Sequence, residues 1–152
     1  MADNSIHWKI GGEAGYGIAS AGAMFSRAML RAGKHVFDYS EYPSLIRGGH
    51  NTFEASVSDT ELYALRRPVN ILAALDQQTA DKHSKELADD AAVVYNTDNT
   101  QINGSIFPEK AALIGMALET MAEKAGAPRV ARNAVALGAS FALLDMPFES
   151  LA

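Results

Sequence analysis

The sequence predicts an α/β fold on a largely parallel or mixed sheet, and three observations carry that prediction. His7-Trp8-Lys9-Ile10 has strand character and runs straight into a glycine cluster, Gly11-Gly12-Glu13-Ala14-Gly15-Tyr16-Gly17. Behind the cluster, Ile18, Ala21, Met24/Phe25, Ala28/Met29 and Ala32 recur at helical spacing, and His35 to Ser40 then alternates with strand period. Further on, Val69 to Leu75 is an unbroken apolar run of strand length, the kind buried on both faces of a sheet. Strand, glycine loop, helix and strand in that order predict a right-handed crossover joining parallel strands.

The remaining elements follow in order. Gly33 stands where a left-handed residue would end the first helix. Tyr42-Pro43 through Asn51 forms a loop containing Gly48-Gly49, and Thr52 to Ser58 alternates again as a strand. Ser58-Asp59 marks a turn before a short strand over Glu61 to Leu65. Asp76 caps a helix over Gln77 to Leu87, Ala92 to Tyr95 is another buried strand, and Asn96 to Gly104 is a polar loop. Periodicity over Ala111 to Ala125 favours one long helix, with Gly115 counting against it. Arg129 to Leu144, after Pro128, reads as a helix with few polar residues, so an unmatched apolar face is expected there. Asp145 to Glu149 resembles a helix start with a capping acid and an early proline, so the chain reads as one domain of something longer.

Composition narrows the function classes. A chain of 152 residues with 48% hydrophobic and 20% charged residues is one globular domain. Thirteen basic against 18 acidic residues give a net charge of −5. The longest basic run is Arg66-Arg67, so no stripe suits a nucleic-acid backbone. Cysteine is absent, which excludes disulfides, thiolate zinc sites, cysteine nucleophiles and cysteine-ligated iron–sulfur clusters in this chain. Met1 to Ser5 lacks the basic start of a signal peptide. The longest apolar stretch, Ala134 to Leu144, falls well short of the roughly 20 residues that span a bilayer. A soluble cytoplasmic protein with neither nucleic-acid nor membrane partners is expected. His7, His35, His50 and His83 are scattered without metal-ligand spacing, and Met24, Met29, Met116 and Met121 are expected to fill core.

Two loops carry the chemistry. A glycine-rich turn between strand and helix lets backbone N–H groups approach a phosphate at a helix N-terminus. In the dinucleotide fingerprint glycines hold the first, third and sixth positions; here Gly12, Ala14 and Gly17 hold them. Asp38, about twenty residues on, stands where that fingerprint has its ribose-binding acid. Two readings of Gly12, Gly15 and Gly17 stay open: a tight turn with close packing, or contact with an anionic ligand. The second loop is Glu41-Tyr42-Pro43-Ser44-Leu45-Ile46-Arg47-Gly48-Gly49-His50-Asn51. Arg47 offers a fixed fork of donors for carboxylate or phosphate, and His50 and Asn51 add polar contacts. The plainer alternative is a surface loop with an Arg47–Glu41 ion pair.

Taken together, the segments from Ile10 to Gly22 and from Glu41 to Asn51 resemble the gamma domain of the 2-oxoacid:ferredoxin oxidoreductases, as does Pro128-Arg-Val-Ala-Arg-Asn-Ala-Val-Ala-Leu-Gly138. The likeness runs from about Ile6 to Glu149, and the tyrosine–proline form of the arginine loop is most similar to the 2-oxoglutarate type, in which gamma precedes alpha in one polypeptide. The chain departs from the family at Ala14, where glycine is usual, and at Tyr16, where glutamine is common. The resemblance implies a three-layer α/β/α sandwich, Rossmann-like, with residues 1–152 forming a single gamma-type domain. It also implies a strand over Ala112 to Ala117 and a helix from Leu118, adopted here against the periodicity. The whole enzyme would decarboxylate a 2-oxoacid oxidatively with coenzyme A, giving acyl-CoA and CO2 and reducing ferredoxin. It would use thiamine diphosphate, Mg and iron–sulfur clusters, none of them bound by this chain alone. The expected partners are the alpha and beta domains or subunits and, through the complex, ferredoxin. Catalytic residues are expected elsewhere. Gly12, Gly15 and Gly17 are placed near an anionic ligand or coenzyme A, and Arg47, Gly48, Gly49, His50 and Asn51 at an inter-domain or substrate face.

Overall fold

The computed structural model describes residues 4–43, 49–147 and 149. Arg47 and Gly48 lie outside the described residues, as does Phe148 in the helix start expected at Asp145 to Glu149. Among the described residues, six strands form one mixed sheet: β1 (Ile6–Glu13), β2 (His35–Glu41), β3 (His50–Ser58), β4 (Val69–Ala74), β5 (Leu87–Asn96) and β6 (Ala112–Met116), in the order β2-β3-β1-β4-β5-β6. Strands β1, β4, β5 and β6 are parallel neighbours, whereas β3 runs antiparallel between β1 and β2. The expected crossover therefore holds in direction but not in adjacency. β1 and β2 point the same way, yet β3 returns between them as the second arm of a hairpin.

Period-two alternation sorts β1 into two faces. Trp8 and Ile10 enter a core with helices α1 (Ile18–Arg31) and α4 (Arg132–Leu143) and with Leu118, the first residue of α3 (Leu118–Lys124). Trp8 stacks on Phe25 with ring centroids 4.1 Å apart, and Phe25 meets Phe141 edge-on at 5.7 Å. Gly22 is required on α1, because a Cβ there would lie 2.0 Å from the Phe53 ring. The other face carries a thinner layer, in which α2 (Gln77–His83) packs Ala80 against Val69, Leu72 and Val93. Three layers result, as expected.

Local chemistry explains most boundaries. Gly33, at φ 77°, ends α1, with the Lys34 N–H reaching the Met29 carbonyl and the Gly33 N–H that of Leu30. Asp76 caps α2 by accepting from the Thr79 N–H at 2.9 Å.

Several expectations are corrected. Gly11 and Gly12 belong to β1, pairing with Thr52 and Asn51, so the turn shrinks to residues 14–17. Residues 61–65 form no strand; the segment crosses the sheet face, and its Arg66 N–H reaches Ser56 Oγ at 2.7 Å. The helix after Asp76 stops at His83 because Leu87 already pairs with Val69. The 111–125 stretch divides into β6 and α3, as the resemblance implied and periodicity did not. Gly115 fits there because Tyr95 of β5 stands against it. Helix α4 turns Ala136, Leu137 and Phe141 into the domain's own core, leaving Leu143 as its exposed large side chain. Asp145 begins no helix: at φ 53° it closes α4, with the Met146 N–H on the Phe141 carbonyl. Met29 is core, whereas Met24 and Met121 are exposed. No described helix is long and apolar enough to cross a membrane.

Candidate functional site

The two loops singled out in the sequence meet at one end of the sheet. β1 delivers the glycine turn and β3 begins at His50, directly opposite Glu13. The Ala14 N–H donates to the Gly49 carbonyl at 2.8 Å, so the glycine turn and the arginine loop are joined through their backbones. The parallel strands β4 to β6 end on the same side, bringing Asp76 and Asp98 close.

The three glycines differ in what surrounds them. A Cβ at Gly12 would press on Tyr16, Ile18 and Leu75 at 3.0–3.2 Å. At Gly17, the left-handed N-cap of α1, it would lie 2.8 Å from Asn133 Nδ2, which donates to the Tyr16 carbonyl. Close packing accounts for both. Gly15, at φ 91°, has nothing within 4 Å of its Cβ position and faces open space. Asp38 does not take the ribose-binding place. It lies in β2, one strand removed from β1, and accepts from Ser26 Oγ at 2.6 Å.

Tyr16 sits inside an ionic cluster. The Arg132 guanidinium lies 3.7 Å over its ring and pairs with buried Glu119, which also receives exposed Arg129. The arginines, Arg129 foremost, hold the Glu119 carboxyl below the usual range. Burial raises the Tyr16 hydroxyl, and Glu13, Asp76 and Glu119 add to that effect while Arg132 opposes it. Asp98 anchors the start of α3, accepting from the Glu119 N–H at 2.8 Å and Thr120 Oγ1 at 2.7 Å. A cavity of about 340 Å³ is lined by Tyr16, Asp98, Glu119 and Arg129.

A second network occupies the opposite sheet face. Lys9 Nζ pairs with Glu54 at 3.0 Å and Glu86 at 2.6 Å, and Glu54 also meets His7 at 2.9 Å and Arg67 at 2.7 Å. Burial would raise the Glu54 carboxyl, but His7, Arg67 and Lys9 together drive it well below its ordinary value. Glu86 accepts from His83 Nδ1 at 2.9 Å, and the Nε2 atoms of His83 and His50 lie 2.8 Å apart. Burial, reinforced by His83, pushes the His50 pKa down to about 4. Neither the histidine pair nor the Glu119 cluster was anticipated. The available signal was the alternation of His7 and Lys9 opposite Ser56 and Glu54, which puts polar side chains on one face of two central strands.

Residues 7–152 match the family model described as pyruvate ferredoxin/flavodoxin oxidoreductase. The chain belongs to that family. A 2-oxoacid:ferredoxin oxidoreductase subunit alpha from Sulfolobus sp is 33% identical over 110 residues, covering 70% of this chain and 17% of that protein. A 2-oxoglutarate synthase subunit from Archaeoglobus fulgidus is 28% identical over 150 residues, covering 96% of this chain and 74% of that one. The chain thus spans about a sixth of the length of the alpha subunit it matches. The family fold is equally plain in solved structures. The gamma subunit of a keto/oxoacid ferredoxin oxidoreductase from Geobacter sulfurreducens superposes with TM-score 0.80 at 23% identity, over 96% of this chain and 82% of that one. The 2-oxoglutarate:ferredoxin oxidoreductase of Magnetococcus marinus, solved with 2-oxoglutarate, coenzyme A and succinyl-CoA bound, gives 0.85 at 23% identity over 97% of this chain and 26% of that chain.

Proposed function

We propose that residues 1–152 are the gamma-type domain of a cytoplasmic 2-oxoacid:ferredoxin oxidoreductase of the 2-oxoglutarate type. The domain has no catalysis of its own. It packs against the alpha and beta domains, which reduce ferredoxin, and helps to form the coenzyme A entrance. The observation that carries this reading is the Ala14–Gly49 hydrogen bond, which ties the glycine turn to Gly49, where the arginine loop enters β3. Coenzyme A is present in the Magnetococcus enzyme of the same fold. Thiamine diphosphate with Mg would supply the carbanion chemistry, and iron–sulfur clusters the electron path, from other domains.

This chain's own part is to bind and orient. Arg47 offers a bidentate donor to a phosphate or an inter-domain carboxylate. Gly48, Gly49 and Asn51 are assigned with it to the inter-domain face, while Gly15 is the glycine of the turn with room for a ligand to approach. Gly12 and Gly17 hold that turn in place. His50 enters as a neutral imidazole at physiological pH. A free-standing dinucleotide module is the weaker reading, because Asp38 is separated from β1 by β3.

A thermal-shift series with NAD, FAD, ATP and coenzyme A separates the readings, since a ligand bound only by the native state raises its melting temperature. Coenzyme A alone is expected to shift the chain, and the pure chain is expected to show no 2-oxoacid-dependent dye reduction. A shift by NAD or FAD in place of coenzyme A would overturn the assignment.

A further inference from the structure

Gly11 opens the glycine cluster but takes no part in the turn, because it is paired within β1. A Cβ there would lie 2.6 Å from Thr79 Cγ2 and 3.2 Å from His50 Cε1, so glycine at this place lets α2 lie close against the start of β3. That approach brings the His83 ring alongside His50, 5.1 Å between centroids, with Nε2 facing Nε2 at 2.8 Å. The contacts continue inward from His83 Nδ1 to Glu86 at 2.9 Å, from Glu86 to Lys9 Nζ at 2.6 Å and from Lys9 to Glu54 at 3.0 Å. His83, Lys9 and Glu54 are buried, which holds the chain of contacts in place.

A carboxylate only accepts, so the proton of the His83 ring sits on Nδ1, facing Glu86, and Nε2 is left as an acceptor. His50 then donates from its own Nε2. Burial keeps both imidazoles neutral at physiological pH, which preserves this order. Glu13 stands opposite His50 across the strands, and the adjacent Gly49 carbonyl accepts the Ala14 N–H at 2.8 Å. A fixed His50 ring therefore fixes the junction at which the glycine turn meets the end of the arginine loop. We propose that His83 is a positioning residue for the candidate site: oriented by Glu86, it holds His50 and, through the adjoining Gly49, the Ala14 N–H of the glycine turn. The effect on coenzyme A rests on the gamma-domain reading, whereas the effect on the junction does not.

The test uses the assembled enzyme, with coenzyme A varied at saturating 2-oxoacid. Hydrogen exchange by mass spectrometry over residues 11–17 and a melt of each variant accompany the kinetics. His83→Leu leaves Glu86 its Lys9 partner but takes the acceptor from His50. It is expected to raise KM for coenzyme A about 3- to 10-fold with kcat held, as for one lost hydrogen bond. Exchange over residues 11–17 should quicken while β4 and β5 stay protected. His83→Gln, which restores an acceptor, should recover most of the lost affinity. Glu86→Met, at a partly exposed position, removes only the orienting carboxylate; it should move KM the same way by less, and it serves where His83→Leu does not fold. Wild-type KM and exchange in His83→Leu would overturn the inference. So would a general loss of protection and melting temperature that His83→Gln fails to restore, because His83 would then be merely structural. Faster exchange over residues 11–17 with an unchanged KM would instead overturn the reading that the junction serves coenzyme A.

Discussion

His83 Nδ1 points at the Glu86 carboxylate and His83 Nε2 at His50 Nε2, 2.8 Å away, so in the neutral pair His50 is the donor. Its remaining ring nitrogen, Nδ1, is buried and has no hydrogen-bond partner among the described residues. Protonating this pair sets two donors against each other beside Lys9 and Lys82.

A pH dependence follows. Both histidines have lowered pKa values in the folded chain, His50 about 4 against an ordinary 6.5. Above 6.5 neither state is protonated and nothing is lost. As pH falls through 6.5 the unfolded chain takes up protons first, so stability declines until the folded His50 titrates near 4. Discounted for partial exposure, His50 should contribute a loss of about 1–2 kcal/mol over that interval. Urea denaturation from pH 7.5 to 4.5 measures it, and His50→Gln should flatten the slope. A wild-type slope equal to that of the variant would refute the coupling.

Glu119 joins the glycine turn to the last helix through Arg132 and Tyr16. Glu119→Ala strands a buried guanidinium and should destabilise the domain by about 3–5 kcal/mol. Arg129→Ala removes only the solvent-exposed partner and should cost far less. Chemical denaturation of both variants, with Glu119→Ala/Arg132→Met added, tests the difference. The double variant should recover much of the loss, and equal effects of the two single changes would contradict the reading.

What was legible in the sequence was local. The glycine turn, the α1 period, Gly33 as a stop and the Asp76 cap each depend on a few adjacent residues. The place of β3 between β1 and β2 was not legible, because pairing order is set by contacts between distant segments. Periodicity misassigned Ala112 to Met116 for a related reason. A short apolar run reads equally as helix or strand, and here the neighbouring β5 decides. The glycine turn and the arginine loop were found as motifs, but the histidine pair joins residues 33 apart in sequence and appears only once β3 and α2 are in place.

The most direct measurement is steady-state turnover of the assembled enzyme against coenzyme A, with Arg47→Ala beside the wild type and a melt of each isolated domain. A charge-assisted contact is worth about 1.5–3 kcal/mol, so the rate at limiting coenzyme A should fall about 10- to 100-fold. The melting temperature should hardly move, the change in stability staying within about 0.5 kcal/mol. An assembled Arg47→Ala enzyme with unchanged coenzyme A dependence, and a domain that unfolds, would contradict the assignment and make Arg47 a structural residue.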